Sequence, residues 1–439
     1  MKKEFIKTSY GIILILAFAL LLLCLYLFGK PKSETLKEEQ KVTELTLVYA
    51  YQNAMWDSAI EQAVTDFEES NPDVKIVAEV NYGDSVYEKI LNKLIARNEL
   101  GDIVQVKAPQ SYVKNGIFGV IPEEVTKLIS EENLYKVGED TYAVGIVNTT
   151  SGIMYNKQIF EKYNLSEPTT YEEFLECCEV LKSHHITPIG IGGSDLWHME
   201  FWINYYMRTC ILSQNENWLS DCSEGSVAWT DSNITHMLSQ LKTLFDKGYV
   251  NSDWLSTTDG SLPYLLSEGE TAMAMTGPWV TAEVTALADS TSWGWFYLPD
   301  EDGQVYIGEN RDTFFAISKD CQLDEEKLEA ASRFLTYFYS TDNYEQVLDG
   351  ITSFSTTVES ISYEQDEFQT DVVDSFYGEE KHITGYVGDM DTPEGFENEM
   401  LSLIQKMLQG ENSIQKTQKQ LQQCWEKYQS AGEDDDEEN

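Results

Sequence analysis

The stretch from Leu45 to Val80, LTLVYAYQNAMWDSAIEQAVTDFEESNPDVKIVAEV, decides the fold. Its opening, Leu45-Thr46-Leu47-Val48-Tyr49, is a β-rich run and reads as a strand. Ile60, Val64 and Phe67 then recur at spacings of four and three, which places them on one face of a helix. That helix ends near Asn71-Pro72, because proline disfavours the helical region for the residue before it. From Val74 to Val80 apolar and polar residues alternate, the two-residue period of a second strand. Tyr87 to Leu100 returns to helical spacing, with Ile90, Leu91, Leu94 and Ile95 on one face, and Asp102-Ile103-Val104-Gln105-Val106 makes a third strand. Strand, helix, strand, helix, strand predicts an α/β fold with a parallel sheet and right-handed crossovers.

Further out, Tyr171 to Leu181 reads as a helix opening after the capping segment Pro168-Thr169-Thr170. Ser232 to Lys247 is another, stopped by Gly248, and Asp324 to Ser340 and Glu411 to Gln429 follow. Glu433 to Glu438 reads as a solvated acidic tail and Lys30 to Glu44 as a polar stalk. At 439 residues, and without an internal repeat, the chain suits two lobes. Ahead of the stalk, Lys2, Lys3 and Lys7 precede an uncharged run from Gly11 to Phe28, GIILILAFALLLLCLYLF. Eighteen residues at about 1.5 Å each span roughly 27 Å, close to the hydrocarbon thickness of a bilayer. The run reads as an uncleaved membrane anchor, and processing to a lipid-modified Cys24 is the alternative.

Lys and Arg number 30 against 75 Asp and Glu, a net charge of −45. Such a field repels phosphate backbones and anionic head groups, which argues against nucleic acid as a partner. Seven cysteines show neither CxxC pairs nor zinc-ligand spacing. Cys210 and Cys222 lie close enough in sequence to bridge, but buried free thiols are the preferred reading.

Enzyme motifs are mostly missing. None of His184, His185, His198, His236 and His382 forms an HExxH pair, and neither a GxSxG elbow nor a GxxxxGK[ST] loop occurs. Gly190-Ile191-Gly192-Gly193-Ser194-Asp195 has aspartate where a dinucleotide fingerprint needs its third glycine, so it reads as a loop at a strand end. Gly303 is wrongly placed for a calcium loop beginning at Asp300. No cofactor or metal is expected, although spacing alone leaves a carboxylate pair for glycoside hydrolysis open. What stands out is aromatic residues near Gly, Pro, Ser or Asp: Trp56, Trp197, Trp202, Trp279, Trp293 and Trp295. A flat ring covers the apolar face of a sugar while Asp, Asn, Glu or Arg bond its hydroxyl rim. Asp195 with Trp197, and Trp279 in Thr276-Gly277-Pro278-Trp279, have that chemistry, with core packing as the competing role for each indole.

Five segments in order resemble the family 1 extracellular solute-binding proteins, the maltose-binding-like receptors of ABC sugar importers. They are FEESNPDVKI (Phe67 to Ile76), GDIVQV (Gly101 to Val106), IMYNKQIFEKYNLSEPTTYEEFLE (Ile153 to Glu176), LSEGETAMAMTGPW (Leu266 to Trp279) and AISKDCQLDEEKLEAASRFLTYF (Ala316 to Phe338). The resemblance covers roughly Leu45 to Gln429. It implies a two-lobe periplasmic-binding-protein-like fold of the class II type with an interlobe ligand cleft, preceded by the N-terminal anchor. Lobe 1 then takes 45–142 and 299–350, and lobe 2 takes 143–298 and 351–430. Ahead of them lie a cytoplasmic n-region at 1–10, the anchor at 11–28 and the stalk at 29–44, and 431–439 is the tail.

The function implied is not enzymatic. It is capture of a carbohydrate, an oligosaccharide by the number of aromatic candidates, for delivery to the permease subunits of an ABC importer. The body then lies outside the cell, held to the cell membrane by the N-terminal segment. By the same resemblance Trp279 stacks on the sugar and Asp102 accepts hydroxyls at its strand end. Tyr51, Gln52 and Asn53 line the cleft with Trp56 nearby, Asp195 and Trp197 form the second-lobe wall, and Glu309, Asn310 and Arg311 stand near the returning strand. A ligand-sensing subunit for a signalling partner is the alternative on the same scaffold.

Overall fold

The computed structural model describes residues 41–81, 87–288, 291–311, 313–378, 381–383, 392–393 and 395–437. The expected anchor at 11–28, with Cys24, lies outside the described residues, and among those described no helix is long and apolar enough to cross a membrane. The chain divides at Val42, and the unit from Thr43 onward carries the fold.

The strands, in chain order, begin with β1 (Thr43–Ala50), β2 (Val74–Asn81), β3 (Ile103–Val106), β4 (Leu134–Val137) and β5 (Asp140–Gly145). Next come β6 (Thr149–Thr150), β7 (Gly152–Asn156), β8 (Thr187–Gly190), β9 (Thr271–Thr276) and β10 (Trp293–Phe296). The last are β11 (Tyr306–Ile307), β12 (Glu309–Asn310), β13 (Phe314–Ile317) and β14 (Lys381–His382). A six-stranded sheet runs β2-β1-β3-β13-β5-β4, and a four-stranded sheet runs β10-β7-β9-β8. The three strands expected at the start are parallel neighbours in the first sheet. β13 then enters antiparallel between β3 and β5, a non-local pairing that no local pattern announces.

Each sheet is covered on both faces, and strand periodicity shows how. Leu45, Leu47 and Tyr49 of β1 join one core, with Phe315 and Ile317 of β13, while Val48 and Ala50 join Phe314 and Ala316 on the opposite face. In the four-stranded sheet Ile153 and Tyr155 enter one core and Met154, between them, enters the other. Continuous apolar runs are what a strand buried on both faces requires. The helices on the first sheet include Ala54–Ser70, whose N-terminus Asn53 caps by accepting from Trp56 N at 2.8 Å, and Glu325–Phe338. The Tyr171–Ser183 helix opens as its sequence suggests, with Thr170 accepting from Glu173 N at 3.2 Å. The final helix, Ile414–Glu437, extends through most of the stretch read as a tail.

Between the sheets the chain crosses by short backbone ladders. β6 pairs antiparallel with β12, Thr150 opposite Glu309 and Thr149 opposite Asn310. One residue earlier, Asn148 and Phe354 exchange two backbone hydrogen bonds at 3.0 and 2.8 Å. All six described cysteines are buried and free, so Cys210 and Cys222 are not bridged.

Two glycines in the four-stranded sheet have no room for a side chain. A Cβ on Gly152 would stand 2.5 Å from the Trp295 ring, and one on Gly294 would stand 2.4 Å from the Tyr155 ring. Gly294→Ala is therefore expected to lower the unfolding free energy by about 1–3 kcal/mol through overpacking. Urea denaturation measures it, and an unchanged midpoint would show that the rings move aside freely.

Candidate functional site

The expected first-sheet residues separate on inspection. Tyr51 and Gln52 follow β1 and are half-buried, and Asn53 is buried as the helix cap. The Nδ2 of Asn53 has no hydrogen-bond partner among the described residues. Trp56 is wholly buried in the core beneath β1, because the cap puts position 56 on the inward face of the first helical turn. Trp202, Trp293 and Trp295 are core residues as well. Asp102 is buried with its carboxylate fully engaged. Oδ2 accepts from Thr46 N at 2.8 Å, and Lys327 Nζ reaches Oδ1 at 2.9 Å and Oδ2 at 3.0 Å. Burial works against the Lys327 ammonium, but the Asp102 carboxylate outweighs it and the Lys327 pKa is raised. The arrangement locks the start of β3 to β1 and to the Glu325–Phe338 helix, in place of the hydroxyl-acceptor role expected of Asp102.

Glu309 and Arg311 stand at the crossing, bonded to each other at 2.8 Å. Arg311 Nη1 also donates to the carbonyl of Glu132 at 3.3 Å. His382 Nδ1 lies 3.2 Å from Glu309 Oε1, and its Nε2 lies 2.8 Å from the carbonyl of Phe376, so both ring nitrogens face acceptors. Asn310 takes part through its backbone pairing with Thr149.

Asp195, Trp197 and Trp279 are brought together. Trp279 follows β9 at the turn Pro278–Val280, and it alone of the expected residues packs against three cores, including those of both sheets. Its indole lies over the Gly277 peptide so closely that a Cβ there would stand 1.8 Å from the ring. Phe201 touches it at 6.1 Å between centroids, and Trp197 meets Phe201 edge-on at 5.8 Å. Behind these rings lies a polar chain that sequence reasoning missed. His198 donates from Nδ1 to Asp259 Oδ1 at 2.8 Å, and Asp259 N donates to Asp195 Oδ2 at 2.9 Å. Glu283 lies four residues after Trp279, and partial burial first and the Asp259 carboxylate second raise its pKa. A four-residue spacing puts Trp279 and Glu283 on one side of a helical turn, the one local signal available for this group. The result is an aromatic surface edged by carboxylates. A polar cavity of about 430 Å³ also opens beside Tyr171, Tyr205, His236, Gln240, Asp300 and Glu301, and none of the expected residues lines it.

The family model of bacterial extracellular solute-binding proteins matches residues 54–345, and the chain belongs to that family. Among curated proteins it is similar to the multiple sugar-binding protein of Streptococcus mutans, 22% identical over 62% of this chain and 65% of that one. It is also similar to the melibiose/raffinose/stachyose-binding protein MelE of Bacillus subtilis, 23% identical over 42% of this chain and 45% of that one. In both cases the match spans less than two thirds of the relative's length. The solved structure of a chitin oligosaccharide binding protein superposes with a TM-score of 0.77, at 18% identity, over 89% of this chain and 99% of that one. The fold is thus the mixed α/β, two-lobe fold of these proteins.

If the Asp102 carboxylate serves structure, Asp102→Ala strips Thr46 N and Lys327 of their partner at once and costs about 2–4 kcal/mol of stability. Chemical denaturation tests this, and a variant as stable as the parent would leave Asp102 available for another task.

Proposed function

We propose that this chain is an extracytoplasmic substrate-binding protein that captures a carbohydrate between its lobes and hands it to an ABC importer. The observation that carries the reading is the position of Trp279. A partly buried indole, packed on the cores of both sheets and extended by Phe201 and Trp197, offers the flat apolar surface a sugar ring needs. Asp195 and its neighbours edge that surface with acceptors for hydroxyls. The relatives named above support the same class of ligand, and several aromatic rings in one wall favour an oligosaccharide over a small ion.

In this reading lobe 1 is 45–142 with 299–350 and lobe 2 is 143–298 with 351–430. The cleft between them is lined by Trp279, Trp197 and Asp195 on one side and by Tyr51, Gln52 and Asn53 on the other. Glu309, Asn310 and Arg311 lie at the crossing, where they hold the hinge. Ligand contacts from both lobes favour a closed state, and the permease subunits read that shape. The apolar run at 11–28 tethers the body to the outer face of the cell membrane. The chain performs no catalysis and needs no cofactor, as befits a receptor.

Thermal shift of the full-length chain against melibiose, raffinose, stachyose and chitin and xylan oligosaccharides tests the class of ligand. A saturable rise in melting temperature with one glycan is expected, and no shift across the panel would sink the carbohydrate reading. Trp279→Ala should weaken that glycan by about 1–3 kcal/mol while the protein stays folded. Unaltered affinity in calorimetric titration would remove Trp279 from the site.

A further inference from the structure

Asp259 was not among the residues expected from the sequence, yet three contacts fix it beside the aromatic wall. It begins the turn Asp259–Ser261 that leads into the short helix Leu262–Ser267. Its backbone N–H donates to Asp195 Oδ2 at 2.9 Å, and its Oδ1 accepts from His198 Nδ1 at 2.8 Å. Its N and Cα lie where a Cβ on Gly192 would stand only 2.6 and 2.8 Å away, so the bare backbone at Gly192 lets the two loops close on each other. A further bond, from Ser194 N to Thr257 O at 2.9 Å, joins the same pair of loops.

His198 is 0% exposed and stands edge-on to Phe201 at 5.4 Å and to Trp197 at 6.1 Å. Its Nε2 is buried without a hydrogen-bond partner among the described residues. A phenyl ring would fill the same space without leaving an orphan nitrogen. What the imidazole adds is the Nδ1–H that holds Asp259. That bond uses Oδ1, while Oδ2 makes no hydrogen bond among the described residues, and the side chain stays 24% exposed. A carboxylate held by its backbone and by one oxygen, with the other oxygen open beside an aromatic surface, is an acceptor aimed before the ligand arrives.

We propose that Asp259 is a ligand-binding residue whose Oδ2 accepts a sugar hydroxyl, and that His198 is the positioning residue that aims it. The assignment rests on the carbohydrate reading above and names a contact that reading does not contain. Asp259→Asn separates the roles of the two oxygens. The amide oxygen still accepts from His198, and the open acceptor becomes a donor.

The test is calorimetric titration of the full-length chain with the panel named above, melibiose, raffinose, stachyose and chitin and xylan oligosaccharides, with Trp279→Ala measured alongside. Asp259→Asn should bind roughly tenfold more weakly to whichever of these the parent binds, the loss of one charged acceptor for a hydroxyl, with little change in melting temperature. His198→Ala should lose a similar factor. His198→Asn, whose amide N–H stands close to the place of Nδ1–H, should recover most of it, a rescue that packing alone would not give. Parent-like binding by Asp259→Asn beside a weakened Trp279→Ala overturns this assignment and leaves the carbohydrate site standing. So does a His198→Asn variant as weak as His198→Ala. If the unmutated chain binds none of the sugars in that panel, both readings fall together. Should His198→Ala fail to fold, Asp259→Asn and His198→Asn still decide.

Discussion

Backbone hydrogen bonds at the crossing between the two sheets set the terms for everything else in this molecule. Thr149 and Thr150 lie against Asn310 and Glu309, and Asn148 exchanges two bonds with Phe354. Ladders this short fix where the chain passes between the lobes while leaving few dihedrals to absorb a change of angle. Thr352 sits in the left-handed region at φ 48°, an uncommon choice for a β-branched residue, and its hydroxyl accepts from Gln369, which also holds Asp349. Glu309, Arg311 and His382 add polar contacts around the same place, so the charged residues nearest the crossing are occupied with one another.

From that frame the aromatic wall follows. β9 ends at Thr276, and the glycine after it gives the indole of Trp279 a flat peptide to lie on. The loops after β8 and before the Leu262–Ser267 helix then supply Asp195, Trp197, His198 and Asp259 from two separate stretches of chain. None of these side chains is unusual alone. In the proposed site their joint effect would come from being fixed before a ligand binds, which lowers the entropy lost on binding.

Much of this was legible in the sequence, and the boundary is physical. Period-two and helical spacing record which face of an element is buried, so β1, β2 and β3 and the helices between them could be read directly. Pairing across hundreds of residues leaves no such local trace. Asp102 looked like a free acceptor at a strand end because Lys327, its partner, lies on a helix 225 positions away. Trp56 looked loop-borne because it follows Asn53, yet that asparagine caps a helix and turns the indole inward. Asp195, Trp197 and Trp279 were expected from residue type and from resemblance, and the fold brings them near one another. Asp259 and His198 were not, because what distinguishes them is a bond between residues 61 apart.

The free thiols bear on how such a protein is made. Burial pushes the Cys210 thiol up to about 11 and those of Cys222, Cys321 and Cys424 up to about 12, so almost none is present as thiolate at neutral pH. Since the thiolate is the form that attacks a disulfide or a peroxide, these sulfurs are chemically quiet once the chain is folded. In an unfolded chain the situation differs, because every thiol is then exposed. The native state contains no disulfide among the described residues and gains nothing from an oxidant. For an extracytoplasmic body, as proposed above, burial of these sulfurs in the packed cores is what keeps them from forming bridges that the native fold does not use.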